Sequence, residues 1–88
     1  MEVNHTTVSI KYCSIWTGYD EAAQDVQKEL MNNLPNVSVS ISEGEKGEFT
    51  VNEIFDGVSS RTVFDKSTTE RFPNPGEVTQ ILRETSTL

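Results

Sequence analysis

Between Thr7 and Ile41 the hydrophobic period of the chain changes from two to 3.6 and back to two, and that order of periods most limits how it can fold. Val8, Ile10 and Tyr12 alternate with polar neighbours and read as a strand buried on one face. Thr17-Gly18-Tyr19-Asp20 reads as a helix start, with Thr17 as the cap and Asp20 and Glu21 supplying the charge that the positive helix end favours. Tyr19, Ala22, Ala23, Val26, Leu30 and Leu34 then share one helical face, which Pro35 and Asn36 end. Val37, Val39 and Ile41 alternate with serines as a second strand. Two strands joined by one helix make a β-α-β unit, whose strands run parallel through a right-handed crossover.

The remainder extends that unit. Residues Ser42 to Gly47 carry turn chemistry, and Phe49 and Val51 begin a third strand. Its alternation breaks where Ile54 and Phe55 stand side by side, which predicts a bulge or early bend there. Asp56-Gly57 signals a hairpin, and Thr62-Val63-Phe64 supplies the returning strand, with the pairing of Val58 to Arg61 left open. Asn74-Pro75-Gly76-Glu77 reads as N-cap, proline at the first helical position and capping-box glutamate. Val78, Ile81 and Leu82 form the inner face of the closing helix. The expected architecture is α/β and thioredoxin-like, β-α-β-β-β-α, a mixed four-stranded sheet with two helices packed on it, in one domain over residues 1–88.

Charge narrows the function classes. The chain has 88 residues and a formal net charge of −7, which argues against nucleic acid or an anionic membrane as partner. No apolar run approaches the roughly 20 residues of a membrane span, and the N-terminus carries no signal-peptide pattern. A single cysteine leaves no internal disulfide, so a reducing, cytoplasmic setting is expected and the sequons at Asn4 and Asn36 read as chance. One Cys and one His, His5, fall short of a metal site, and His5 is too far from any motif to serve as a base for the cysteine.

That cysteine, Cys13, lies in YCSIWTGY, past the first strand and just before the helix start. There the positive helix end would stabilise a thiolate by about 0.3–1 kcal/mol, while Asp20 and Glu21 would oppose it. The residues alone leave two readings open: a solvent-open thiol poised for exchange, or a small half-buried residue that closes a strand. Phe72, Pro73 and Trp16 could frame an apolar rim beside it or belong to the core. The acidic helix start of Asp20, Glu21 and Asp25 reads as a solvated face rather than a catalytic pair.

Three stretches together resemble the selenoprotein W-like, or Rdx, family. IKYCSIWTGY is similar to that family's strand followed by C-x-x-U or C-x-x-C and a helix start. GEFTV at 47–51 resembles its Gly-x-Phe-Glu-Val strand, with Thr50 in place of the acid. VFDKSTTERFPNPGEV at 63–78 resembles its Val-Phe-Ser-Lys strand and Gly-Arg-Phe-Pro turn, with Asp65 for serine and Glu70 for glycine. The match runs in order from Val8 to Arg83, although the segment from Phe49 to Lys66 is longer than the family's hairpin. The resemblance implies a thioredoxin-like fold and thiol or selenol redox chemistry with glutathione or with thiol or disulfide partner proteins, and no bound cofactor. It places Cys13 at the first redox position and Trp16 at the second, where an indole cannot resolve a mixed disulfide. Trp16 is then the mark of a one-thiol member, the exposed anchor of a non-enzymatic interaction module, or a substitute for selenocysteine, whose UGA codon differs by one base from UGG.

Overall fold

The alternating run at the start of the chain becomes strand β1 (Thr6–Tyr12) in a computed structural model that describes residues 6–34, 36–55 and 59–86. Helix α1 (Tyr19–Asn33) and strand β2 (Val37–Glu43) complete the β-α-β unit, with β1 and β2 parallel and Val8 opposite Val39. Strands β3 (Phe49–Phe55) and β4 (Ser59–Asp65) follow, then helices α2 (Lys66–Thr69) and α3 (Glu77–Ser86). The four-stranded sheet has the order β2-β1-β3-β4, and β3 runs antiparallel to both of its neighbours. The fold is therefore the expected mixed α/β sheet. No helix among the described residues is long and apolar enough to cross a membrane.

Period two on the strands and 3.6 on the helices direct the apolar residues into one layer. Val8, Ile10, Phe49, Val51 and Phe64 of the sheet meet Ala23, Val26 and Leu30 of α1 and Val78 and Leu82 of α3. The opposite sheet face carries residues such as Ser9, Ser40, Thr50 and Thr62, which suit contact with water. Glu53 is the exception on the inner face, and it is neutralised in place by Arg61, whose Nη2 lies 2.7 Å from Glu53 Oε1. Ser59 to Arg61 pair with Phe55 to Glu53, which answers the pairing left open; Asp56, Gly57 and Val58 lie outside the described residues, as do His5, Asn4 and Pro35.

Local details depart from expectation in four places. Thr17 does not cap α1; Gly18 does, at φ 91°, and its carbonyl accepts the first helical bond from the Ala22 N–H. The bulge is not at Ile54 and Phe55 but at Val63, since Val51 pairs with Phe64 and Asn52 with Thr62. The extra residue on β4 lets Val63 and Phe64 both reach apolar surroundings. The segment after β4, where no helix was expected, contains the short helix α2, whose cap Asp65 accepts from the Ser67 N–H at 2.9 Å. Finally Pro75 stands before α3, because Gly76 at φ 82° cannot be helical and delays the first turn to Glu77.

The start of α3 is fastened from two sides. Glu77 reaches back to the Asn74 N–H at 2.8 Å, but as the first residue of α3 and not the third. Asn74 is therefore not its N-cap, and the expected capping box is replaced by a bond across the preceding turn. Glu77 also receives both Arg71 Nη groups at 2.8 and 2.9 Å. Glu29 of α1 supplies the rest, accepting from the N–H groups of Gly76 and Thr79 and from the Thr79 hydroxyl. The Arg71 guanidinium, then the Asn74 N–H, hold the Glu77 carboxyl down to about 2 from its ordinary 4.5. A depressed carboxylate stabilises the fold above its unfolded value and loses that contribution as pH falls through its folded value. Glu77→Gln should therefore lower the melting temperature at neutral pH and converge with the wild type as pH falls from 4.5 toward 2. Thermal melts across that range check it; parallel pH curves for the two proteins would refute the ion pair.

Candidate functional site around Cys13

Cys13 continues the β1 line past its last residue. Its N–H donates to the Glu48 carbonyl at 2.8 Å, and the Gly44 N–H donates to the Tyr12 carbonyl, so the loop after β2 is laced to the end of β1. The loop is closed by Glu48, whose carboxylate accepts from the Glu45 N–H at 2.8 Å and from the Thr50 hydroxyl at 2.9 Å. That closure sets Gly47, at φ 78°, against the cysteine.

The expectation of a solvent-open thiol is corrected here: Cys13 is 1% exposed and belongs to the core cluster. The cause lies in the two loops that meet over it. Residues 15 and 16 fold back from one side and Gly47 comes from the other, each presenting a backbone N–H to the sulfur. Burial pushes the thiol up, but the N–H groups of Gly47, Ile15 and Trp16 and the charge of Lys46 outweigh it, and the balance lies below the ordinary value. The helix end invoked from sequence is replaced by donors of the loops themselves. The thiol is thus covered, yet its surroundings ease its ionisation relative to a free cysteine.

Trp16 forms part of the covering loop. It is 45% exposed, and a Cβ on Gly47 would lie 3.3 Å from its Cζ3, so the indole rests against the glycine that faces the sulfur. It also meets Tyr19, with ring centroids 5.7 Å apart in an edge arrangement. Tyr19 meets Phe72 at 4.9 Å, and Phe72 meets Phe49 at 5.3 Å, so the aromatic rim runs from the surface into the core. Trp16 and Phe72 are therefore brought together, with Tyr19 between them. The Lys66 ammonium stands over both the Tyr19 and Phe72 rings, at 5.3 and 5.1 Å. Ile15, 71% exposed, extends an apolar tip beside Trp16.

Sequence reasoning located Cys13, Trp16 and Phe72 but not Gly47, Lys46 or Tyr19 as their neighbours. The turn composition of Ser42 to Gly47 was the only available sign of the loop, and it does not say which residue the loop touches. Asp20 points its carboxylate at the adjacent Glu21 N–H, 2.8 Å away, as a solvated helix start would. Glu21 and Asp25 face a cleft on the other side of the aromatic rim.

Comparison with known proteins bears on the family and the fold. The family model described as the Rdx family matches residues 7–84. Among curated proteins no match is found. A crystal structure of a Bordetella parapertussis protein is similar, with a TM-score of 0.73 and 20% identity over 93% of this chain and 99% of that one. The crystal structure of a selenoprotein W-related protein from Vibrio cholerae gives a TM-score of 0.72 and 19% identity over 93% of this chain and 98% of that one. These likenesses carry the fold, and the family match spans the strand, cysteine and loops just described.

Proposed function

This chain belongs to the Rdx family, and from that premise we propose that it is a redox-type thioredoxin-like protein whose single thiol, Cys13, forms mixed disulfides. The observation that carries the reading is the set of N–H donors from Gly47, Ile15 and Trp16 directed at one sulfur, an arrangement that outweighs burial and brings the thiol below its ordinary value. With oxidised glutathione the thiolate bonds to one glutathione sulfur, the S–S bond breaks, and the other glutathione leaves as a thiolate that takes up the proton Cys13 released. Trp16 offers no sulfur or selenium for a second attack, so this polypeptide stops at the mixed disulfide until an external thiol reverses the step. A native selenocysteine at position 16 would complete the cycle internally, and a UGA codon there in the coding sequence is the sign that decides it.

Incubation of the folded protein with oxidised glutathione, followed by intact mass measurement, is expected to give one adduct, on Cys13. It should form more slowly than on the urea-unfolded chain, since the covering loops must open first. No adduct on the folded protein, with ready reaction of the unfolded one, would make Cys13 an inert core residue. A second reading, an interaction module without redox chemistry, is favoured by the exposure of Ile15 and Trp16 beside a covered thiol. It requires that partner binding survive Cys13→Ser unchanged, whereas the redox reading requires that the partner be held by a reducible bond.

A further inference from the structure

The cleft on the far side of the aromatic rim has no part in the thiol chemistry described above. It measures about 430 Å³ and runs between one side of α1 and the segment 72–75. Ala22 and Val26, one helical turn apart, form an apolar floor, and Phe72, Pro73 and Pro75 form the facing wall. Glu21 and Asp25, also one turn apart, form an acidic ridge beside that floor. Glu29, further along the same ridge, is occupied by Gly76 and Thr79 at the start of α3. Glu21 and Asp25 have no such engagement: among the described residues neither side chain takes part in an ion pair. Gly18 closes the end of the cleft nearest the covering loop, and Phe72 is one ring removed from Trp16 through Tyr19.

An apolar trough edged by two free carboxylates is complementary to a lysine or arginine side chain. Its methylene stem can lie on Ala22, Val26 and Phe72 while its cation meets Glu21 and Asp25. The same ridge repels glutathione, whose carboxylates outnumber its amine, and the net charge of −7 acts in the same direction. We propose that this cleft binds a basic segment of a partner protein, and so directs Cys13 toward protein disulfides flanked by lysine or arginine. The inference rests on the thiol-exchange reading for its chemistry and on the cleft alone for its selectivity.

The test uses two synthetic peptides, each with its cysteine activated as a thionitrobenzoate disulfide, one flanked by two arginines and the other by two glutamates. Cys13 bonds to the peptide sulfur, the activated S–S bond breaks, and thionitrobenzoate leaves as the coloured thiolate. At low salt the arginine peptide should react about fivefold faster than the glutamate peptide, and added salt should shrink that ratio. Glu21→Gln with Asp25→Asn should abolish the preference. Glu43→Gln with Glu84→Gln, an equal change of charge away from the cleft, should leave most of it. Equal rates for the two peptides, or an equal loss in both double variants, would overturn the proposal. A serine version of the arginine peptide separates the two readings. If it shifts the backbone amide signals of Ala22 and Asp25 while neither activated peptide reacts, the cleft binds as proposed and the redox reading fails.

Discussion

Trp16→Cys is expected to convert the site from a one-thiol adduct former into a dithiol pair that closes an internal disulfide under mild oxidation. The Trp16 N–H already faces the Cys13 sulfur, so the side chain of residue 16 starts from backbone held beside it. A thiol in that place attacks a Cys13 mixed disulfide intramolecularly, and effective concentrations for oriented neighbours far exceed any solution thiol. The glutathione adduct proposed for the wild type should then be missing from the mass spectrum of the variant, replaced by a species lighter by two hydrogens than the reduced variant. Catalytic reduction of a protein disulfide in the presence of excess thiol should rise from background to at least tenfold above it, as the C-x-x-C arrangement allows. Removal of the indole also uncovers the loop, so Trp16→Ala serves as the control. It should speed alkylation of Cys13 severalfold but leave the glutathione adduct in place. Persistence of the adduct in Trp16→Cys at the wild-type level would show that residue 16 does not address the sulfur.

The chemistry of the site follows from what was and was not local in the chain. The β1-α1-β2 unit was legible because its apolar residues repeat at fixed short intervals, from Val8 to Ile41, and no distant residue is needed to interpret them. The contact between Glu77 and the Asn74 N–H was legible for the same reason, since the two are three residues apart, although the helix starts at Glu77 and not at Pro75. Glu29 was not, because the N–H groups it satisfies at Gly76 and Thr79 are brought to it only by the packing of α3 on α1. The bulge was misplaced because adjacent apolar residues occur both at a bulge and where a strand has two useful faces. Ile54-Phe55 and Val63-Phe64 look alike in sequence, and only the pairing with Thr62 distinguishes them. Helix α2 is a single turn and has no period to detect, although its cap, Asp65, carried the chemistry of one.

Cys13 shows the same division. Its place at the end of a strand could be read from Thr7 to Tyr12, but its cover could not. The cover is made partly by Gly47, from a loop after another strand, held in place by the Glu48 carboxylate. Ile15 and Trp16, the exposed apolar residues of that cover, follow Cys13 in the chain by only two and three positions.

Phe49→Ala should be the most damaging single change to stability, because Phe49 ties that loop region to the rest of the core. Phe49 is fully buried and its ring meets Phe64 at 6.4 Å and Phe72 at 5.3 Å, both edge-on. Phenylalanine to alanine in a packed core costs about 3–5 kcal/mol, against a total stability of about 5–15 kcal/mol for ordinary domains. For a chain of this length a fall in melting temperature of about 15 °C or more is expected. The exposed Met31→Ala, by contrast, should stay within about 0.5 kcal/mol of wild type. The loss at Phe49 also removes the inner support of Phe72, and through it of Tyr19 and Trp16, so the cover over Cys13 should loosen before the protein unfolds globally. Alkylation of Cys13 at a temperature where the variant is still folded by circular dichroism measures that loosening. A faster rate than in the wild type is required; an unchanged rate would mean that the rim and the core are not mechanically joined.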